Sequence, residues 1–216
     1  MNGPQLIFFD AVGTLFGVRG SVGAVYGEIA RRHGVYVSIE TLSKTFYQCF
    51  KAAGSPAFPG HSLSEISDLE FRWWQAIVEQ TFAQVGVLHE FSDFSTFFAE
   101  LYQHFATAEP WFLYADVVPT LKELRDRQIT LGILSNFDSR LYAVLKALEL
   151  ADFFSSVTLS TEVGAAKPSP QIFACAIAKH NYPVEQIWHV GDSFEEDFKA
   201  AQTAGLRGIW LDRRLS

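Results

Sequence analysis

The sequence predicts an α/β protein: a parallel sheet with helices on both faces, interrupted after its first strand by an inserted helical module. Three observations carry that expectation. Short apolar runs without alternation recur at 6–9, 129–134, 187–190 and 208–211, with a weaker one at 157–159. Such runs suit strands covered on both faces. From residue 113 onward they alternate with helical patterns, the order of a wound parallel sheet. Between Gly17 and Phe112 the apolar spacing is helical, and no strand-period alternation of any length appears.

Taken in order, the first run, "LIFF", ends at Asp10, after which the chain turns through Gly13 and Thr14. The helical module follows as "SVGAVYGEIARRHG", "SIETLSKTFYQCFKAAG", "SEISDLEFRWWQAIVEQTFAQVG" and "DFSTFFAELYQHFA". Ser38, Ser64 and Asp93 are its expected N-caps, and Gly34, Gly54 and Gly86 stand where C-caps belong. The loop "GSPAFPGHS" at 54–62 holds two prolines and two glycines and separates two helical pairs. Helices are then expected over 116–127, 138–149, 169–181 and 194–204, the last stopping before Gly205. The expected division is a sheet domain from 1–16 plus 113–216 and a helical module over 17–112.

Composition bounds the function. With 216 residues, 49% hydrophobic and 15% aromatic, the chain can bury one full domain plus a smaller one. A net charge of -7 argues against nucleic acid or an anionic membrane as the main partner. It leaves room for a phosphate site, for which a few local lysines suffice. Cys49 and Cys175 lack disulfide or zinc spacing, which fits a reducing compartment. No signal core and no apolar stretch of about 20 residues is present, so a cytoplasmic protein is expected.

Several residues at strand ends carry chemistry. Asp10 follows the first run, Ser135 and Asn136 follow "ITLGIL", and Asp192 follows "IWHVG" with Asp197 five residues on. Lys167 lies in "EVGAAKPSPQIF", just before a helix opened by Pro168 and Pro170. Each alone reads as a turn, a cap or a solvated loop residue. Together they differ, because a parallel sheet brings such strand ends to one edge, where open α/β sheets bind ligands. Two carboxylates suit a hard cation such as Mg²⁺, and a lysine and a hydroxyl suit phosphate oxygens.

In these motifs the chain resembles the haloacid dehalogenase-like hydrolase superfamily over its whole length. The first family motif matches "DAVGT" (Asp10 to Thr14), the second Ser135, the third Lys167 in "EVGAAKP", and the fourth "GDSFEED" with Asp192 and Asp197. The helical insertion looks like the cap of the family's first subgroup, on a Rossmann-like core. The resemblance implies a Mg²⁺-dependent phosphatase acting on a small phosphorylated metabolite. Asp10 would be the nucleophile that forms an aspartyl-phosphate. Asp10, Asp192 and the Val12 carbonyl would hold Mg²⁺, with Asp197 as ligand or support. Lys167, Ser135, Asn136 and Thr14 would grip the phosphoryl group.

One position departs from that pattern. Phosphatases of the superfamily usually carry a second Asp where this chain has Val12. That Asp protonates the leaving alcohol and later activates water, and loss of such a group costs about 10²–10⁴ in rate. The 2-haloacid dehalogenases look like "DAYGTLF" here and need neither the acid nor Mg²⁺. Against them stand Asp192, Phe173 in place of a Tyr, and no early-cap Arg beyond Arg31 and Arg32. Phosphonatases, which use a cap lysine (Lys44 or Lys51 here), and a catalytically weak ligand sensor are further alternatives. Trp73, Trp74, Glu195, Glu196 and His189 read as structural. Phe50, Phe58 and Arg72 are the cap residues put forward for substrate choice.

Overall fold

Strand β1 (Leu6–Phe9) is followed by a short β2 (Phe16–Val18) and four helices, α1 (Val22–Arg32), α2 (Ile39–Ala53), α3 (Leu63–Val85) and α4 (Phe94–His104). Then come β3 (Trp111–Leu113), α5 (Val117–Asp126), β4 (Thr130–Ser135), α6 (Leu141–Ala147), β5 (Ser156–Leu159) and the one-turn α7 (Ser160–Val163). The chain closes with α8 (Pro170–Ile177), β6 (Ile187–Gly191), α9 (Ala200–Thr203) and β7 (Arg207–Trp210). This computed structural model describes residues 3–213, so the outermost residues of the expected sheet domain, 1–2 and 214–216, lie outside the described residues.

Five strands form one parallel sheet in the order β5-β4-β1-β6-β7. β1 is central because all four of its side chains are buried, two on each face. Leu6 and Phe8 pack with Ile172 and Phe173 of α8 and Ala200 and Ala201 of α9. Ile7 and Phe9 pack with Val117 and Leu121 of α5 and Leu141 and Val144 of α6. Helices therefore cover both faces, and each fully buried Phe or Leu contributes roughly 1.5–3 kcal/mol.

Helices α1 to α4 enclose a separate apolar cluster built around Tyr26, Phe46, Phe82 and Phe97. This module meets the sheet domain through polar contacts with the loop after β4. Glu70 of α3 accepts from the Ser139 backbone N–H at 2.9 Å and from its hydroxyl. Trp74 Nε1 donates to Asp138 Oδ2 at 2.6 Å, and Arg140 donates to the Tyr102 carbonyl at 3.1 Å.

Several sequence expectations need correction. The expected junctions at 17 and 112 fall inside an antiparallel ribbon in which β2 pairs with β3 (Phe16 with Leu113, Gly17 with Phe112). Three-residue strands are too short to show alternation, which is why the sequence hid them. The N-cap of α3 is Ser62 rather than Ser64, because Glu65 reaches back to the Ser62 N–H at 2.9 Å and forms a capping box. The expected helix over 138–149 begins only at Leu141, since Asp138 and Arg140 are engaged with the cap. The expected helix over 194–204 is a π-type turn over Phe194–Lys199 running into α9.

Candidate active site

Asp10 sits one residue past β1 and is 8% exposed. Ser135 ends β4 and donates its hydroxyl to Asp10 Oδ1 at 3.0 Å. The Lys167 ammonium donates to the same oxygen at 2.8 Å, and on its other side to Asp197. No donor among the described residues reaches Asp10 Oδ2, which stays open toward the cavity that Asp10 lines. Burial raises the Asp10 pKa, Lys167 opposes that rise, and Asp197 adds to it. Burial alone would depress Lys167, but Asp10 and Asp197 override it and hold the lysine charged.

Asp197 is almost fully buried, and both of its carboxylate oxygens accept hydrogen bonds. Oδ1 accepts from Lys167 and from His189 Nε2 (2.8 Å), and Oδ2 from the Ser193 N–H at 2.9 Å. Burial works against its charge, but Lys167 and His189 outweigh that and hold its pKa well below the usual carboxylate range. Gly191 permits this approach, because a Cβ there would overlap the Asp197 carboxylate. His189, read from the sequence as packing, is fully buried against Phe173 and also joins this network, and burial lowers its pKa.

Asp192 is the more open carboxylate. Burial first, then the charges of Asp10 and Asp197, push its pKa from the ordinary 3.8 to about 6. The Thr14 hydroxyl points to its Oδ1 in a long 3.5 Å contact. Gly13 adopts φ +88, and a Cβ there would lie 2.6 Å from Asp192 Cγ, so the turn demands glycine on two counts. Carboxylate oxygens of Asp10, Asp192 and Asp197 lie within 4.8 Å of one another. Three carboxylates thus face one lysine, an imbalance that a hard divalent cation relieves. Asp10 Oδ2 and Asp192 could hold it, and the Val12 carbonyl accepts no hydrogen bond from a described residue. Asp197 fits less well, having no oxygen without a donor.

Asn136 lines the cavity, and both atoms of its amide are bonded within the protein. Its Nδ2 donates to the Lys167 carbonyl at 2.9 Å and its Oδ1 accepts from the Lys167 N–H at 2.7 Å, so it fixes the lysine's backbone. The same Nδ2 reaches Glu196 Oε2 at 3.2 Å, which brings Glu196 to the rim of the site, a placement that sequence reasoning missed. Arg31, Arg32, Lys44, Lys51 and Arg72 are exposed on the module's surface and do not line the cavity at Asp10. Phe50 lines it; Phe58 does not. Trp74, read as cap core, also lines it.

Comparisons with known proteins agree with this fold. The model of the haloacid dehalogenase-like hydrolase family matches residues 4–205. The chain is 34% identical over 207 residues to haloacid dehalogenase-like hydrolase domain-containing protein 3 of Bos taurus, covering 95% of this chain and 80% of that protein. A phosphatase of this type from Thermococcus onnurineus superposes with a TM-score of 0.64 at 24% identity, covering 98% of this chain and 88% of the other. An L-2-haloacid dehalogenase from Xanthobacter autotrophicus superposes at 0.68 with 20% identity, covering 98% and 80%. These two share the fold but catalyse different reactions. With the family model matched from before β1 to the end of α9, the chain belongs to the haloacid dehalogenase-like hydrolase family.

Proposed function

We propose that this hydrolase is a Mg²⁺-dependent phosphatase that works through an aspartyl-phosphate on Asp10. The observation that carries the reading is the pairing of a buried, charged Lys167 with Asp10 beside an exposed Asp192 whose carboxylate lies within reach of the same cation. Asp10 Oδ2 is the nucleophile, and Ser135 and Lys167 hold Oδ1 so that the free oxygen faces the phosphorus. Lys167 also neutralises charge on the transferring group. Asp197, His189 and Asn136 position Lys167 from behind. Mg²⁺, held by Asp10, Asp192 and the Val12 carbonyl, would supply Lewis-acid stabilisation of the phosphoryl oxygens.

Supporting this reading over 2-haloacid dehalogenation is Asp192, a carboxylate that a halide displacement does not require. Val12 favours the dehalogenase, since halide leaves without a proton. Phosphate release from acetyl phosphate and p-nitrophenyl phosphate, with and without Mg²⁺, set beside chloride release from 2-chloropropionate, separates the two. Metal-independent chloride release without phosphate release overturns the proposal.

A further inference from the structure

The cavity that begins at Asp10 extends into the helical module as a chamber of about 400 Å³. Its wall is aromatic: Tyr26, Phe46, Phe50, Trp74, Phe98 and Phe105 all face it. All of these rings but Phe98, which packs on Tyr102 instead, are joined by ring contacts. Phe50 stacks on Phe46 with centroids 5.6 Å apart and on Trp74 at 5.7 Å, and Tyr26 meets Phe46 edge-on at 5.3 Å. The module contributes no charged side chain to this wall. Its polar atoms there are tyrosine hydroxyls and Trp74 Nε1, and the indole is already bonded to Asp138.

The chamber's cations are Lys167, engaged by Asp10 and Asp197, and Arg140. Arg140 forks onto Asp138 through Nε (2.8 Å) and a terminal nitrogen (2.6 Å) and lies over the Tyr102 ring. Its charge is matched, so it acts as a wall rather than an anion clamp. A polyol, a second phosphate or a carboxylate would be stripped of water here with only the tyrosine hydroxyls as replacement partners from the module, and each polar group left unpaired costs about 1–3 kcal/mol. A planar apolar group meets ring faces and edges instead.

Val12 points to the same chemistry independently. A leaving oxygen that receives no proton must depart as a weak base. A phenol-type oxygen, with a pKa near that of tyrosine at about 10, does so far more readily than an alkoxide.

We infer that the substrate is an aryl phosphate: the aromatic chamber binds the ring, and the ring's oxygen leaves unprotonated past Val12. The inference rests on the phosphatase reading and specifies its substrate class. Asp10 Oδ2 forms a bond to phosphorus as the P–O(aryl) bond breaks, and the electron pair departs on the aryl oxygen, which then takes a proton from solvent. Water cleaves the aspartyl-phosphate, returning Asp10 as carboxylate and releasing inorganic phosphate. The sum is aryl phosphate plus water giving phenol plus phosphate.

The test separates chamber affinity from leaving-group reactivity. With Mg²⁺ and acetyl phosphate as reporter substrate, competitive inhibition is measured for 1-naphthylphosphonate, phenylphosphonate and methylphosphonate, whose C–P bonds survive this chemistry. Each added ring should lower the inhibition constant by about tenfold through apolar burial. Among substrates, 1-naphthyl phosphate should exceed glycerol phosphate in kcat/KM by at least a hundredfold. Phe50→Ala should erase most of the naphthyl-over-methyl preference, and Phe50→Leu should restore part of it. Turnover of acetyl phosphate with equal inhibition by all three phosphonates, or a preference for glycerol phosphate, overturns the aryl assignment and leaves the phosphatase reading standing. No turnover of any phosphate overturns both.

Discussion

Lys167 and Asp10 share one contact on which the whole site depends: the ammonium lies 2.8 Å from Oδ1 of the carboxylate, and both groups are buried. Neither charge would persist there alone, because burial of an unpaired ion costs several kcal/mol. The lysine's second bond, to Asp197, keeps it aimed while Asp10 Oδ2 stays free.

Lys167→Met should therefore destabilise the fold as well as silence it. Removing one partner of a buried ion pair costs about 3–5 kcal/mol, and here two carboxylates lose their counterion together. With Lys167 gone, the Asp10 pKa, already raised by burial, rises further, and Asp197 loses the largest interaction that holds its pKa down. Their unfavourable ionisation then appears as pH rises, so urea unfolding should show a larger deficit at pH 7 than at pH 5. An equal deficit at both values would mean that lost packing, not charge, sets the cost.

Asp192 and Asp197 should separate cleanly in metal binding. Asp192→Asn should abolish the rise in melting temperature caused by millimolar Mg²⁺, since only the folded site assembles its ligands. Asp197→Asn should lower activity while keeping most of that rise, because its oxygens already serve Lys167, His189 and Ser193. If Asp197→Asn removes the Mg²⁺ response as completely as Asp192→Asn, Asp197 is a ligand after all.

The Mg²⁺ response should grow with pH. In the metal-free protein the Asp192 pKa stands at about 6 instead of 3.8, so its contribution to stability is present below about 4 and lost as pH rises through 6. Mg²⁺ requires the carboxylate and relieves the repulsion from Asp10 and Asp197. Thermal melts at pH 5 and pH 7.5 should show a small shift at the first and a larger one at the second. A pH-independent shift would place the ion away from Asp192.

Val12→Asp supplies the proton carrier that the turn lacks. If attack by Asp10 limits the rate, turnover of alkyl phosphates should rise by about 10² or more, against a much smaller gain for p-nitrophenyl phosphate. If hydrolysis of the intermediate limits instead, both classes should rise together. The added carboxylate stands near Asp10 and should lower stability without Mg²⁺ through like-charge repulsion. A folded, Mg²⁺-binding variant with no gain on any phosphate would show that Val12 is not the bottleneck.

The sheet and its winding were legible in the sequence because strands buried on both faces must be apolar throughout. "LIFF" reads as a strand covered on both faces without knowledge of its neighbours, and all four residues of β1 are buried. The motif residues were legible for a related reason: parallel strands share a direction, so Asp10, Ser135 and Asp192 at or just past their ends had to reach one edge. What no local pattern could disclose was the partnership among side chains far apart in the chain. Asn136 fixing Lys167 from 31 residues away, His189 entering the Asp197 network, and Glu196 reaching the rim all depend on strand register and the π-type turn. The β2–β3 ribbon joins residues nearly a hundred positions apart, and its strands are too short to carry a period. The chamber belongs to the same class. The aromatic residues of the helical module are visible in the sequence, but which of them fill its core and which face Asp10 is decided only when Glu70, Trp74 and Tyr102 meet the loop after β4.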